Sequence, residues 1–327
     1  VKLLIALHHR FHPWIAPPWF SERLRNDFPQ VEMVQLPNYD RITEEIVDAE
    51  LAIAWSLRGD QIAAAKKLRW VHSTAAAVHG LMTVELQASD IIVTNARAVH
   101  GPVVAEHAMS LVFALAKRLP EAAKHQSQRH WAQQEICETA PRPRELRDAT
   151  MVIVGFGSIG TALAKLARAF GMRVVGVREH PEKGSELADA MYGFADLNRA
   201  LSEGDFVVLA TPVTEKTRHL MNALRLEHLQ SDAYLINVGR GVLIDEEALQ
   251  HALRANRFAG AALDVTAEEP LPPGSPLWTM ENVFITPHTA GFAEKMWERH
   301  YVAYTENLRR YLTGEPLLWT VDKSAGY

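Results

Sequence analysis

The apolar residues of this chain fall into short runs of four or five, separated by longer stretches in which they recur every three or four positions. Short unbroken runs read as strands buried on both faces, and the three-to-four spacing reads as amphipathic helix. Before residue 98, runs at Leu3–Leu7, Val31–Gln35, Leu51–Ala54, Trp70–Ser73 and Ile91–Thr94 predict five strands, with helices over Ser21–Phe28, Ile42–Asp48 and Ile62–Leu68. That alternation makes a small parallel sheet. From residue 151 the rhythm restarts. Met151–Val154, Val174–Val177, Phe206–Ala210, Tyr234–Val238, Ala261–Val265 and Val283–Thr286 predict six strands. The helices between them include Thr161–Phe170, Asp196–Leu201, Ala223–His228 and Glu246–Ala255, which completes a doubly wound sheet. Between the two halves, Pro102 to Gln128 reads as one long helix with Pro102 in its first turn. A proline-bearing surface arm follows over His130–Asp148, and Phe292–Leu312 is a last amphipathic helix.

Two stretches break the pattern in informative ways. In MVIVGFGSIG, Met151–Gly160, a strand runs into Gly155, Gly157 and Gly160 and then into a helix. Glycines at this spacing allow a tight turn, close approach of backbone to a pyrophosphate, and close helix–strand packing, while the helix start favours negative charge. A dinucleotide site is the expectation. The second stretch is the loop His8–Phe20, with Phe11, Trp14, Trp19 and Phe20 among three prolines. It follows a strand, so Phe11, Trp14 or Trp19 either shapes a substrate pocket or packs on its own domain.

Composition narrows the class. A length of 327 residues suggests about two domains. Lys+Arg 34 against Asp+Glu 39 gives a net charge of -5, which offers no nucleic-acid or anionic-membrane surface. No apolar run approaches the roughly 20 residues of a membrane span. The one cysteine, Cys137, excludes an intrachain disulfide and fits a cytoplasmic setting. His8 and His12 have no clear further ligands, so no metal is expected.

Ligands of open parallel sheets bind beyond the carboxyl ends of strands. Just past such ends stand Arg240 in Asn237-Val238-Gly239-Arg240-Gly241, Asp264, Glu269 in Asp264-Val265-Thr266-Ala267-Glu268-Glu269-Pro270, and His288 in Thr286-Pro287-His288-Thr289-Ala290-Gly291. Each alone reads equally as a solvated loop residue, and Glu268 is an alternative to Glu269. Together they supply an arginine, a carboxylate and a histidine around a nucleotide.

The stretches VGFGSIG, LATPVTEKTRHLMN, NVGRG, ALDVTAEEP and TPHTAG, in this order from residue 154 to residue 291, resemble the D-isomer-specific 2-hydroxyacid dehydrogenase family. The resemblance implies an α/β protein with a Rossmann-type doubly wound parallel sheet domain, 98–291, inserted in a smaller flavodoxin-like α/β domain, 1–97 with 292–327. It also implies a homodimer formed through the nucleotide domain and its long helix. The implied catalytic set is Arg240, Glu269 and His288. Arg240 would bind and polarise a 2-keto acid, His288 would act as general acid/base, and Glu269 would favour its imidazolium. Implied cofactor contacts come from Gly155, Gly157, Ser158, Ile159, Gly160, Thr211, Pro212, Thr217, Val238, Gly239, Arg240, Asp264, His288 and Gly291. The substrate carboxylate is expected on backbone N–H groups of Ala76, Ala77 and Val78, with Arg240 and His288 also touching substrate. Ala77 stands where the family commonly has glycine. Arg178 occupies the position of the ribose-binding acid of NAD users, which favours NADP over NAD, with adjacent Glu179 as the alternative ribose contact. The expected reaction is reduction of glyoxylate or hydroxypyruvate to the D-2-hydroxy acid. The alternatives are a non-catalytic, corepressor-like dinucleotide-binding scaffold and a formate dehydrogenase. Glu269, where the formate branch has glutamine, argues against the latter.

Overall fold

The computed structural model describes residues 1–9, 11–78, 80–324 and 326. The chain divides into Val1–His100 with Ala293–Tyr327, and Gly101–Phe292, so the second unit is inserted in the first.

In the first unit the strands are β1 (Lys2–Ala6), β2 (Glu32–Gln35), β3 (Leu51–Ala54), β4 (Trp70–Ser73) and β5 (Ile92–Asn95). All are parallel, in the order β2-β1-β3-β4-β5, the flavodoxin-like arrangement. One face carries Leu4, Ala52, Ala54 and Val71. The other carries Leu3, Ile5, Leu51, Ile53 and Trp70, covered by helices Pro18–Asp27 and Met296–Thr313. The last helix returns to this unit because Met296, Trp297, Tyr301, Tyr304 and Leu308 share one face, and that face meets the sheet.

The aromatic loop is shorter than its sequence suggests. Pro18 starts the helix expected from Ser21, so Trp19 and Phe20 are helical, and both ring against Tyr301. The helix expected over Ile62–Leu68 spans Gly59–Ala64, where the Gln61 side chain accepts the Arg58 N–H at 2.9 Å. A short helix, Val84–Gln87, capped by Thr83, has no counterpart in the sequence reading.

In the second unit the strands are β6 (Thr150–Val154), β7 (Arg173–Val177), β8 (Ala190–Tyr192), β9 (Phe206–Leu209), β10 (Tyr234–Asn237), β11 (Gly260–Leu263) and β12 (Val283–Ile285). All are parallel, in the order β12-β11-β10-β9-β6-β7-β8. Counted from β6, this is the doubly wound order with its switch point between β6 and β9, extended by one strand. The sequence reading lacked β8, whose three residues are too few and too incompletely buried to stand out. Two cores flank the sheet, one built on Met151, Ile153, Val208 and Ile236, the other on Val152, Val154, Val207 and Leu235.

The single long helix expected from Pro102 to Gln128 is two helices, Arg97–Ala116 and Leu119–Ser127. The break is at Arg118, which is left-handed at φ 54 and donates to the carbonyls of Ile136 and Thr139 at 2.9 and 2.8 Å. Pro120 then falls in the first turn of the second helix. Pro102 lies inside the first helix instead of at its start. That helix has the length and hydropathy of a membrane span, but Ala105, Ala108, Leu111 and Val112 pack in the core of the second unit. The arm carries its own helix, Gln133–Glu138.

Candidate active site

The glycine turn is built by three different constraints. Gly155 has φ +102, and a Cβ there would lie 2.5 Å from the Thr211 nitrogen. A Cβ on Gly160 would lie 2.2 Å from the Gly155 carbonyl oxygen, so helix Ser158–Ala169 reaches its strand only without one. At Gly157 a Cβ would meet nothing within 4 Å. Stability does not require glycine there, whereas an approaching phosphate does. Ser158 opens the helix and Ile159 is half-buried beside it. These residues therefore fit a dinucleotide pyrophosphate at the helix start.

The other expected residues of this unit stand beyond the carboxyl ends of β7 and β9–β12. Arg178 follows β7, and its guanidinium has no ion pair among the described residues. Glu179, the alternative ribose contact, is paired with Lys216 at 3.1 Å. Past β9, Thr211 is buried and Pro212 exposed. Thr217 closes this loop by donating to the Pro212 carbonyl and accepting the Thr214 N–H, both at 2.7 Å.

The turn after β10 is shaped by Asn237, which is fully buried. Its side chain accepts the Gly239 N–H at 3.0 Å and donates to the Arg240 carbonyl at 2.9 Å. Val238 and Gly239 are buried with it. A Cβ on Gly241 would lie 1.9 Å from the Thr266 carbonyl, so the two loops that carry Arg240 and Glu269 touch at this glycine. Arg240 donates to the Gly239 carbonyl at 2.6 Å. Burial pushes its guanidinium below the ordinary arginine value, against the attraction of Glu269.

Asp264 holds the last loop together. Its buried carboxylate accepts the Thr286 hydroxyl at 2.7 Å, the Thr289 N–H at 3.0 Å and the Ala290 N–H at 3.1 Å. His107 Nε2 lies 3.3 Å away and 3.0 Å from Thr286 Oγ1. Burial raises the Asp264 pKa, yet these donors together hold it below the usual carboxylate value. The Asp264 carbonyl accepts the His288 N–H at 2.8 Å. His288 is thus fixed at the apex of the turn, with φ 52. Its Nδ1 meets Glu269 Oε2 at 2.6 Å, while Glu269 Oε1 accepts the Thr266 N–H at 3.2 Å. Glu269, and not Glu268, makes this pair. Burial opposes ionisation of Glu269, but His288 and Arg240 together lower its pKa below the carboxylate norm. Gly291 follows, half-buried.

Asn237 and Thr286 lie inside the motifs quoted from the sequence, but their roles do not. His107 was missed altogether. It sits 157 residues before Asp264 in the chain, on a helix with no local signal of chemistry.

In the first unit the 74–78 loop follows β4. Its carbonyls are tied from behind: Thr74 to His100 Nε2 at 3.1 Å, Ala75 to the Ala96 N–H at 3.1 Å, and Ala76 to Asn95 Nδ2 at 2.7 Å. Among the described residues the N–H groups of Ala76, Ala77 and Val78 find no acceptor. Consecutive free N–H groups of this kind make an anion-binding concavity. Within the same unit Trp14 rings against Trp55 and His100, Trp19 packs on Phe20 and Tyr301, and Phe11 is exposed.

A switch-point glycine turn, a half-buried arginine and a carboxylate-paired histidine on one parallel sheet define a dinucleotide-binding protein equipped for acid–base chemistry. A model of "D-isomer specific 2-hydroxyacid dehydrogenase, NAD binding domain" matches residues 109–290. The glyoxylate reductase of Korarchaeum cryptofilum is 34% identical over 85% of this chain and 84% of its own length. The D-3-phosphoglycerate dehydrogenase of Methanocaldococcus jannaschii is 30% identical over 90% of this chain, which spans only 55% of that longer relative. An NADPH-dependent glyoxylate/hydroxypyruvate reductase from Sinorhizobium meliloti, solved with NADP and sulfate, superposes with a TM-score of 0.81 at 25% identity, covering 100% of this chain and 99% of that one. The chain belongs to the D-isomer-specific 2-hydroxyacid dehydrogenases, a family of NAD(P)-dependent oxidoreductases.

Proposed function

We propose that this chain reduces a small 2-keto acid of the glyoxylate or hydroxypyruvate type to the D-2-hydroxy acid, with NADPH preferred over NADH. The observation that carries the reading is the 2.6 Å pair of His288 Nδ1 with Glu269 Oε2 beside a desolvated Arg240. The bound dinucleotide supplies the hydride. Arg240, permanently charged, binds the carboxylate and polarises the ketone. With Nδ1 engaged by Glu269, Nε2 is the His288 nitrogen that delivers a proton to the carbonyl oxygen and recovers it in the reverse direction. Glu269 fixes the ring and places a negative charge beside it. The N–H groups of Ala76, Ala77 and Val78, without an acceptor among the described residues, are assigned to a substrate carboxylate. Asp264 positions the His288 turn and stands beside the dinucleotide.

Two features support NADP. Arg178 has no ion pair among the described residues and is able to receive a 2′-phosphate, and Glu179 is held by Lys216. We also assign a homodimer in a reducing cytoplasm. The exposed Leu119 and Trp131, on the second helix and the arm of the nucleotide unit, support this assignment.

The test is oxidation of NADPH and NADH by the purified protein with a panel of 2-keto acids. Turnover of glyoxylate or hydroxypyruvate, faster with NADPH, is the expected result. Dinucleotide binding with no turnover of any keto acid would instead make the chain a scaffold.

A further inference from the structure

The first unit buries a line of polar atoms that the proposed reaction does not use. On β4 and the residue after it, Trp70, His72 and Thr74 point to one face. On the last helix, Tyr311, Tyr304 and His300 lie on one face at a spacing of about one or two turns. The two ladders run side by side. Trp70 stacks on Tyr311 and Tyr304 at 5.8 and 5.2 Å, His72 rings against Tyr304 at 5.4 Å, and His300 rings against His100 at 5.3 Å.

The seam changes character along its length. At the Trp70 end it is an aromatic stack with satisfied polar groups, since Trp70 Nε1 donates to Thr94 Oγ1 at 2.8 Å and the Tyr311 hydroxyl to Glu50 Oε1 at 2.7 Å. The same Thr94 hydroxyl lies 2.8 Å from His72 Nδ1. The other ring nitrogen, Nε2, has no hydrogen-bond partner among the described residues. Burial keeps this imidazole neutral, with its pKa lowered to about 3. Next along the seam, Tyr304 Oη, both nitrogens of His300 and Thr74 Oγ1 are also buried without a hydrogen-bond partner. An orphaned buried polar group costs about 1–3 kcal/mol. Five on facing ladders do not survive dry, and water is the ligand that satisfies mixed donors and acceptors in so small a space.

We propose that the seam between His72, Thr74, His300 and Tyr304 encloses ordered water, and that this water together with His100 holds the 74–78 loop in its anion-binding shape. The wet end of the seam lies directly behind that loop. Thr74 contributes its hydroxyl to the seam, and its carbonyl is held by His100, which packs on His300. His100 and Thr74 are positioning residues. Their effect reaches the substrate through the N–H groups of Ala76, Ala77 and Val78. The kinetic half of the proposal rests on the reductase reading, and the structural half does not.

A high-resolution crystal structure and four variants test it. Water density within hydrogen-bond distance of His72 Nε2, Tyr304 Oη, a His300 nitrogen and Thr74 Oγ1 is expected. Thr74→Val should raise the keto-acid KM about fivefold, with kcat and the cofactor KM within about twofold, matching loss of roughly 1 kcal/mol of loop restraint. Tyr304→Phe should lower the melting temperature. His100→Gln, which keeps a donor, should hold the KM where His100→Leu raises it. A dry seam with its side chains paired to one another overturns the proposal, as does Thr74→Val with an unchanged KM in an active enzyme. If the protein turns over no keto acid, the density and the Tyr304→Phe melting temperature still decide whether the seam is wet.

Discussion

Replacing Asp264 with asparagine probes how much of the site hangs on one carboxylate. Its two oxygens accept the Thr286 hydroxyl, the Thr289 N–H and the Ala290 N–H between 2.7 and 3.1 Å, with His107 Nε2 at 3.3 Å. Asparagine keeps one acceptor oxygen and sets an NH2 against donors on the other side. At least one charge-assisted bond is lost, about 1.5–3 kcal/mol, and one buried N–H is left unpaired, about 1–3 kcal/mol. The sum is about 2.5–6 kcal/mol, or a fall of about 5–20 °C in the melting of the nucleotide unit. The pH dependence carries the sign. The native Asp264 pKa is depressed, so its contribution is present above the unfolded value of about 3.9 and is lost as pH falls through the native one. The gap between wild type and Asp264→Asn should therefore be full at neutral pH and close below about pH 4. Because the His288 N–H is anchored on the Asp264 carbonyl, a shifted turn should also cost about 100-fold in kcat. Thermal melting across a pH series, read by circular dichroism, checks this. A variant within about 1 kcal/mol of wild type at neutral pH would refute the assignment of Asp264 as the keystone of the turn.

Other outcomes follow from the same geometry. Gly157→Ala should melt within about 0.5 kcal/mol of wild type but bind dinucleotide more weakly, whereas Gly160→Ala, with its Cβ 2.2 Å from a carbonyl oxygen, should melt far lower; titration and melting of the pair separate the two roles. Arg178→Asp should shift the kcat/KM ratio of the two cofactors towards NAD; an unmoved ratio means Arg178 reads no phosphate. Glu269→Gln keeps an amide oxygen as acceptor at His288 Nδ1 but removes the negative charge that favours the imidazolium, and should lower kcat about tenfold or more in steady-state assays, with little change in dinucleotide affinity.

Both sheets were legible because doubly buried parallel strands are short unbroken apolar runs, and Leu3, Leu51, Met151 and Val207 are read directly as such. The break at Arg118 was not legible. It depends on the carbonyls of Ile136 and Thr139, some 20 residues away, and the apolar stripe continues up to it. β8 was missed because an edge strand of three half-buried residues has no periodicity to show. At the site, Arg240, Glu269 and His288 could be named because each follows a strand inside a motif. The work of His107 is tertiary: a helix histidine reveals its partners, Asp264 and Thr286, only once the chain is folded. Asn237 bonds within its own turn, to Gly239 and Arg240, and its role follows from the turn geometry that the sequence does not display. Ala77 is not among the residues with a left-handed φ, so its backbone does not call for glycine and an alanine is accommodated there.

The most direct test of the account is a pair of measurements on one variant, His288→Asn: NADPH affinity by fluorescence titration, and keto-acid reduction in a single turnover. The account predicts unchanged NADPH affinity and a fall of about 100-fold to 10,000-fold in the rate of D-2-hydroxy acid formation. Reduction at the wild-type rate would contradict His288 as the proton donor, and with it the catalytic reading of the site.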